Sequence, residues 1–195
     1  MMASSTQQQQ IAQFLTALAA KQSTPGGGAA AAVGAAVGAA AASMAAAYTQ
    51  RRQDQASGAA AKATTLIGTL NVERAMQLAD ADADAVAYAD LQKTWKKDSN
   101  FTAEERRAIE QRALAVPVSL VELCHEYCVA IHTFLPDCNK NITSDAKVGI
   151  HQLSGAARAA YQTVLVNSPP HDEKQRLKAM LLEMRRMEDE LLEME

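Results

Sequence analysis

Aromatic side chains are scarce: 195 residues hold four Tyr, three Phe and one Trp. So few flat rings leave no stacking platform for bases. A basic surplus is missing as well. The formal charge is -3, the wrong sign for gripping a phosphate backbone, and nucleic acid is excluded as an expected partner. Cysteine is limited to Cys124, Cys128 and Cys138. An odd count, with no charged start leading into an apolar core at the N-terminus, argues against a secreted disulfide framework. The expectation is a cytosolic protein with reduced thiols. No segment alternates apolar and polar residues as a half-buried strand would.

An uninterrupted stretch of small and apolar residues, 29–48, has no Leu, Ile or Phe. Its Gly34 and Gly38 carry the G-x-x-x-G spacing of membrane helix pairs, but alanine gains little from entering lipid. The run therefore reads as a soluble helix whose small residues let neighbouring helices approach closely, and no membrane is expected. Alanine also buries little area per residue, so a core built from it must gain through close backbone packing. A core that thin favours a homodimer or higher oligomer.

Periodicity gives an all-α fold: an antiparallel bundle of about six helices around one long alanine-rich helix. Residues 1–10 form a polar, glutamine-rich tail, and residues 11–195 a single helical domain. Ile11, Phe14, Leu15 and Leu18 mark a first helix, ended by Pro25 and three glycines. The alanine helix covers about 29–52, and a third helix 57–93, with room for a break. Thr102 and Glu105 form a capping box that opens a fourth helix, which Pro117 should kink or interrupt. Ser144 is a plausible cap for a helix reaching Val166, stopped by Pro169 and Pro170. A charged amphipathic helix at about 171–195 closes the chain, with Leu177, Met184 and Leu191 on one face.

Four polar groups stand out. Thr24-Pro25-Gly26-Gly27-Gly28 leads straight into a long helix, so unpaired helix-start amides meet a backbone that a ligand can approach. No Gly-Lys-Ser/Thr follows, so it is not a P-loop, and a plain tight turn would use the same residues. Asp80, Asp82 and Asp84 form the second group. Asp80 and Asp84 share a helix face while Asp82 points away. Either all three are solvated, or Asp82 is buried in the bundle, where a desolvated carboxyl can act as general acid or base. The third is Asn139 to Asp145, in which Asn141 and Ser144 suit a heterocycle edge and Asp145 suits a helix start. The fourth, Arg51 and Arg52, complements a helix C-terminus. Cys124, Cys128 and His132 fall on one helix face at spacing that suits zinc, but a fourth ligand is lacking and buried thiols are ordinary core residues. No metal is expected.

The ordered series is more specific than any member. Phe14-Leu15, Ser23-Thr24-Pro25-Gly26-Gly27-Gly28, Ser43-Met44, Asp80-Ala81-Asp82-Ala83, Val116-Pro117 with Cys124, Asn141 with Ser144-Asp145, Ala156-Ala157, and Val164 with Asn167 together resemble the cyclodeaminase domain of formiminotransferase-cyclodeaminase and the related methenyltetrahydrofolate cyclohydrolases. The resemblance runs from about residue 11 to 167. It departs at Asn139, where the family tends to carry glycine, at Thr163, where asparagine is usual, and at Gln50-Arg51, where Gly-Lys is usual.

The resemblance implies a one-carbon folate enzyme without the formiminotransferase half. The expected reaction is ring closure of formimidoyltetrahydrofolate to methenyltetrahydrofolate with loss of ammonia; the alternatives are methenyltetrahydrofolate hydrolysis or a non-catalytic folate-binding relative. The folate is substrate, and no cofactor is needed. On matched positions, Asp82 moves protons, with Asp145 as the second candidate. Thr24, Pro25, Gly26, Gly27 and Gly28 bind substrate, Asn141 and Ser144 contact the pterin, and Arg51 meets a glutamate carboxylate.

Overall fold

The structure, a computed structural model, describes residues 11–82, 85–95 and 101–193. The polar tail expected at 1–10, and Asp84, lie outside the described residues. Among those described there is no strand. Nine α-helices follow in order: α1 Ile11–Ala19, α2 Gly27–Ala47, α3 Arg52–Ser57, α4 Ala59–Thr69, α5 Val72–Asp82, α6 Ala85–Thr94, α7 Ala103–Phe134, α8 Thr143–Val166 and α9 His171–Glu193, with a 3₁₀ turn at Leu135–Asp137.

The alanine helix α2 is the spine. Eleven of its 21 residues are buried, and α8 packs along it in antiparallel fashion. The crossing depends on glycine at two points. A Cβ on Gly38 would lie 3.0 Å from the Gly149 carbonyl oxygen, and one on Gly149 would lie 2.8 Å from the Ala42 Cβ. At Gly34 a Cβ would meet nothing nearer than the Ala156 Cβ at 3.9 Å. Close approach thus comes from a Gly38–Gly149 pair within one chain, not from the Gly34–Gly38 spacing along one helix. Two helices, Gly27–Ala47 and the one containing Pro117, are long and apolar enough to cross a bilayer; α2 spends its length against α8, α5 and α4 instead.

α2 stops at Ala47, five residues short of the expected end. Just past this end the Thr49 hydroxyl donates to the Ala45 carbonyl at 2.9 Å and accepts the Asn139 N–H at 3.0 Å, tying the end of α2 to the loop before α8. The region expected as a helix from 57 to 93, with room for a break, begins earlier, at Arg52, and is broken at two points among the described residues. Gly58, at φ +84, makes the first break in a conformation that costs glycine little. Asn71 makes the second. Its side chain accepts the Arg74 N–H at 2.9 Å as a cap, and its own N–H and carbonyl are pinned by the buried Tyr127 hydroxyl at 3.0 and 3.1 Å. Asn71 is a cap legible in sequence; the Tyr127 clamp, 56 residues away, is not.

The capping box holds: the Glu105 N–H donates to the Thr102 hydroxyl at 3.2 Å, and the Thr102 N–H to the Glu105 carboxylate at 2.8 Å. Pro117 does not interrupt α7, which runs 32 residues through it. Pro117 has no N–H for the Ala113 carbonyl, but α7 is held on several sides by α8, α9, α6 and α5, and that packing outweighs one lost bond. Ser144 does not cap α8. Ile142 occupies the cap position, and the Ser144 hydroxyl turns to the Asp145 carboxylate at 3.2 Å. α9 lies on its own bundle through buried Leu177, Met184, Met187 and Leu191. His125, His132 and His151 each face one of its glutamates: Glu183 at 2.7 Å, Glu190 at 3.0 Å and Glu188 at 3.2 Å.

Candidate functional site

The triple glycine starts α2 with a bare end. Gly26 occupies the cap position, and no side chain there caps the helix. Among the described residues the Gly27 and Gly28 amides have no acceptor, as expected for the first turn of a helix. The third amide is different: the Ala29 N–H donates to Asp82 Oδ2 at 2.8 Å. Asp82, the last residue of α5, therefore closes the α2 N-terminus from 53 residues away.

Gly28 is required by that carboxyl group. A Cβ at residue 28 would stand 2.1 Å from Asp82 Oδ1 and 2.4 Å from Cγ, whereas one at Gly27 or Gly26 would meet nothing within 4 Å. The two open glycines face space a ligand can enter. Burial raises the Asp82 carboxyl above its ordinary value, and the Ala29 hydrogen bond pulls it back only in part. The group is thus closer to sharing its proton at neutral pH than a surface aspartate.

This end of α2 opens on a cavity of about 490 Å³, the size of a site for a small organic ligand. Ser23, Thr24, Gly26, Gly27, Gly28, Ala81 and Asp82 form one wall; Asp90, Leu91 and Trp95, then Ile109, Arg112, Ala113 and Val116, form the facing wall; Thr163, Val166 and Asn167 come from the end of α8. The cis-linked Pro25 sits between lining residues. The antiparallel pairing of α2 and α8 explains why residues 24–28 and 163–167 meet.

The remaining expected residues gather at the other end of α2, about 30 Å away by helix rise. Arg51 does not reach the cavity within one chain, because its guanidinium closes on Asp54 at 2.8 and 2.9 Å, and the same carboxylate accepts the Arg51 N–H at the start of α3. Asn141, Ser144 and Asp145 begin α8 at that same far end. Asn139 explains its departure from glycine: its N–H meets Thr49, its side-chain amide donates to the Tyr48 carbonyl at 3.0 Å, and its side-chain oxygen accepts from Asn141 at 3.1 Å. It latches the loop to the end of α2. Gln50 likewise ties down α4 through the Ala60 carbonyl at 3.1 Å, and Thr163 keeps a hydroxyl at the cavity wall while donating to the Ala160 carbonyl at 2.6 Å.

Cys124 and Cys128 are buried in the core, where burial pushes both thiols up, and His132 turns away to Glu190. Among the described residues no three His, Cys, Asp or Glu side chains gather as a metal site would require. Trp95, Arg112 and Asn167 belong to the cavity without having been expected there. Arg112 shares a face with Ile109, Ala113 and Val116 at helical spacing, but nothing in that pattern says which neighbour the face meets.

Two comparisons bear on this arrangement. The family model described as formiminotransferase-cyclodeaminase matches residues 10–186. The chain is also similar to the crystal structure of formiminotetrahydrofolate cyclodeaminase from Thermotoga maritima, at 19% identity, covering 96% of this chain and 97% of that one with a TM-score of 0.82; at that identity the likeness establishes a shared fold. No curated protein matches.

Proposed function

The chain belongs to the formiminotransferase-cyclodeaminase family, and on that premise we propose that it is a formimidoyltetrahydrofolate cyclodeaminase. The observation that carries the reading is the Asp82 carboxyl, half-buried against the bare start of α2 at the wall of a ligand-sized cavity.

The reaction is limited by proton traffic. N10 of the folate attacks the formimidoyl carbon on N5 and forms a C–N bond, giving a tetrahedral carbon that also carries the amino group. N10 gives up its proton and the amino nitrogen takes one; that nitrogen then leaves as ammonia with the electron pair of its C–N bond. A single carboxyl beside both nitrogens can accept the first proton and donate the second. Asp82, with its raised proton affinity, is the proposed carrier. The free Gly27 and Gly28 amides offer donors to polar edges of the substrate, and Thr24 and Asn167 offer side-chain partners. The steps move only protons and electron pairs, so side chains suffice and no cofactor is proposed. The same reading places the enzyme in the cytosol.

We further propose that it acts as a homodimer. Val37, Ala40, Met44 and Ala47 line the outer ridge of α2, and Val148, Gln152, Ala159, Gln162 and Val166 that of α8; all are exposed. The two ridges lie side by side and carry no charge, and α1 leaves Ile11 and Leu15 exposed. A second copy of this chain fits, since two antiparallel helices at such spacing are self-complementary about a two-fold axis. That axis would bring Asn141, Ser144 and Asp145 of one copy toward the cavity end of the other, which gives those matched residues a role. Sedimentation at micromolar concentration should show a dimer, and Met44→Arg should yield monomer; a monomeric wild type overturns the assembly.

The activity test is direct. Purified protein given 5-formimidoyltetrahydrofolate should release ammonia and form the methenyl product in equal amounts. Hydrolysis of methenyltetrahydrofolate without ammonia release from the formimidoyl substrate would make it a cyclohydrolase instead. Folate binding with neither turnover would make it a non-catalytic relative.

A further inference from the structure

The cavity contains three charged side chains, and two are already accounted for. Asp82 is bound to the α2 start, and Asp90 accepts from Lys93 at 2.7 Å. Arg112 has no hydrogen-bond or carboxylate partner among the described residues. A guanidinium at a cavity wall with no partner among the described residues suits a planar anion, above all a carboxylate.

Position along the cavity says which part of a ligand it meets. Gly28 is buried and Asp82 half-buried, so the proton-transfer end is deep. Arg112 is exposed, and so is Trp95, the chain's single tryptophan, at 57%. Both line the same cavity, so they mark its mouth. Between mouth and floor the wall is apolar: Leu91, Ile109, Ala113 and Val116. A ligand laid along this gradient needs a polar ring at the bottom, a flat apolar section in the middle and a carboxylate at the opening.

We propose that Arg112 and Trp95 select the aminobenzoyl-glutamate tail of the folate: Trp95 stacks on the aminobenzoyl ring, and Arg112 takes a glutamate carboxylate through paired N–H bonds. This rests on the folate reading above. It assigns to Arg112 the role that sequence matching gave Arg51, whose guanidinium is occupied by Asp54.

The test compares two ligands with the same head, 5-formyltetrahydrofolate and the primary amide of 5-formyltetrahydropteroate, in which a neutral amide replaces the glutamate and no carboxylate remains. Affinities come from calorimetry on the full chain, with Trp95 emission followed in parallel. Wild type should bind the glutamate-bearing ligand about 10- to 100-fold more tightly, the range of a charge-assisted hydrogen-bonded pair. Arg112→Gln should bind both ligands alike, at the affinity wild type shows for the amide. Arg112→Lys, which keeps the charge but loses the paired geometry, should fall between. Both ligands should change Trp95 emission saturably. An Arg112→Gln variant that keeps the full preference, or emission unmoved at calorimetric saturation, overturns this assignment alone. Wild type that binds neither ligand overturns the folate reading and this assignment with it.

Discussion

Asp82→Asn should lower cyclodeaminase turnover about 100- to 10,000-fold while folate affinity changes only a few-fold. Asparagine keeps the size, and its side-chain oxygen can still accept the Ala29 N–H that Asp82 Oδ2 now holds at 2.8 Å. What disappears is the proton that must pass between N10 and the departing nitrogen. A stability readout separates this loss from damage to the fold. The Asp82 carboxyl is raised by burial, so the folded state holds its proton more tightly than the unfolded state does. Its contribution to stability is therefore fully present below the ordinary aspartate value and is lost as pH rises through the raised value. Above that value wild type carries a desolvated charge that Asn does not, and the variant should melt at the same or a higher temperature; the advantage should vanish in acid. Full turnover in the variant would move proton transfer elsewhere, with Asp145 next by matched position.

Gly28→Ala should reduce activity by about 100-fold or more, the scale of loss when a reacting group shifts by an ångström. The new methyl would lie 2.1 Å from Asp82 Oδ1, so the carboxyl must swing off the Ala29 amide. A short side chain can make that swing at modest cost to the fold, so melting should change far less than turnover. Gly27→Ala is the control. Its Cβ would meet no atom of the protein within 4 Å, and alanine suits a helix better than glycine. That variant should fold at least as well as wild type and lose affinity for folate, because the methyl enters ligand space. Equal kinetics for the two alanine variants would show that the contact between Gly28 and Asp82 is irrelevant to the reaction.

These substitutions lie where local sequence and tertiary contact divide the information. The triple glycine, the capping box at Thr102 and the stripe of α9 are local, since each depends on neighbours within a turn or two. They could be placed from residue types and spacing. The helix breaks at Gly58 and Asn71 were partly local. The continuity of α7 through Pro117 was not, because one missing hydrogen bond is decided by everything packed around it.

The candidate site divides in the same way. The ordered motifs, read as a family resemblance, implied residues 24–28 and Asp82, and a folate enzyme built only of helices. They also named Arg51, Asn141, Ser144 and Asp145, with no means of telling which end of a helix each would occupy. That followed from the Gly38–Gly149 crossing, which runs α8 antiparallel to α2 and so brings Thr163 and Asn167 to the triple glycine while holding residues 141–145 at the far end. Periodicity states which face of a helix is apolar, but not which helix it will meet or in which direction. The Ala29–Asp82 bond and the placing of Trp95 and Arg112 on one cavity therefore belong to the folded chain alone.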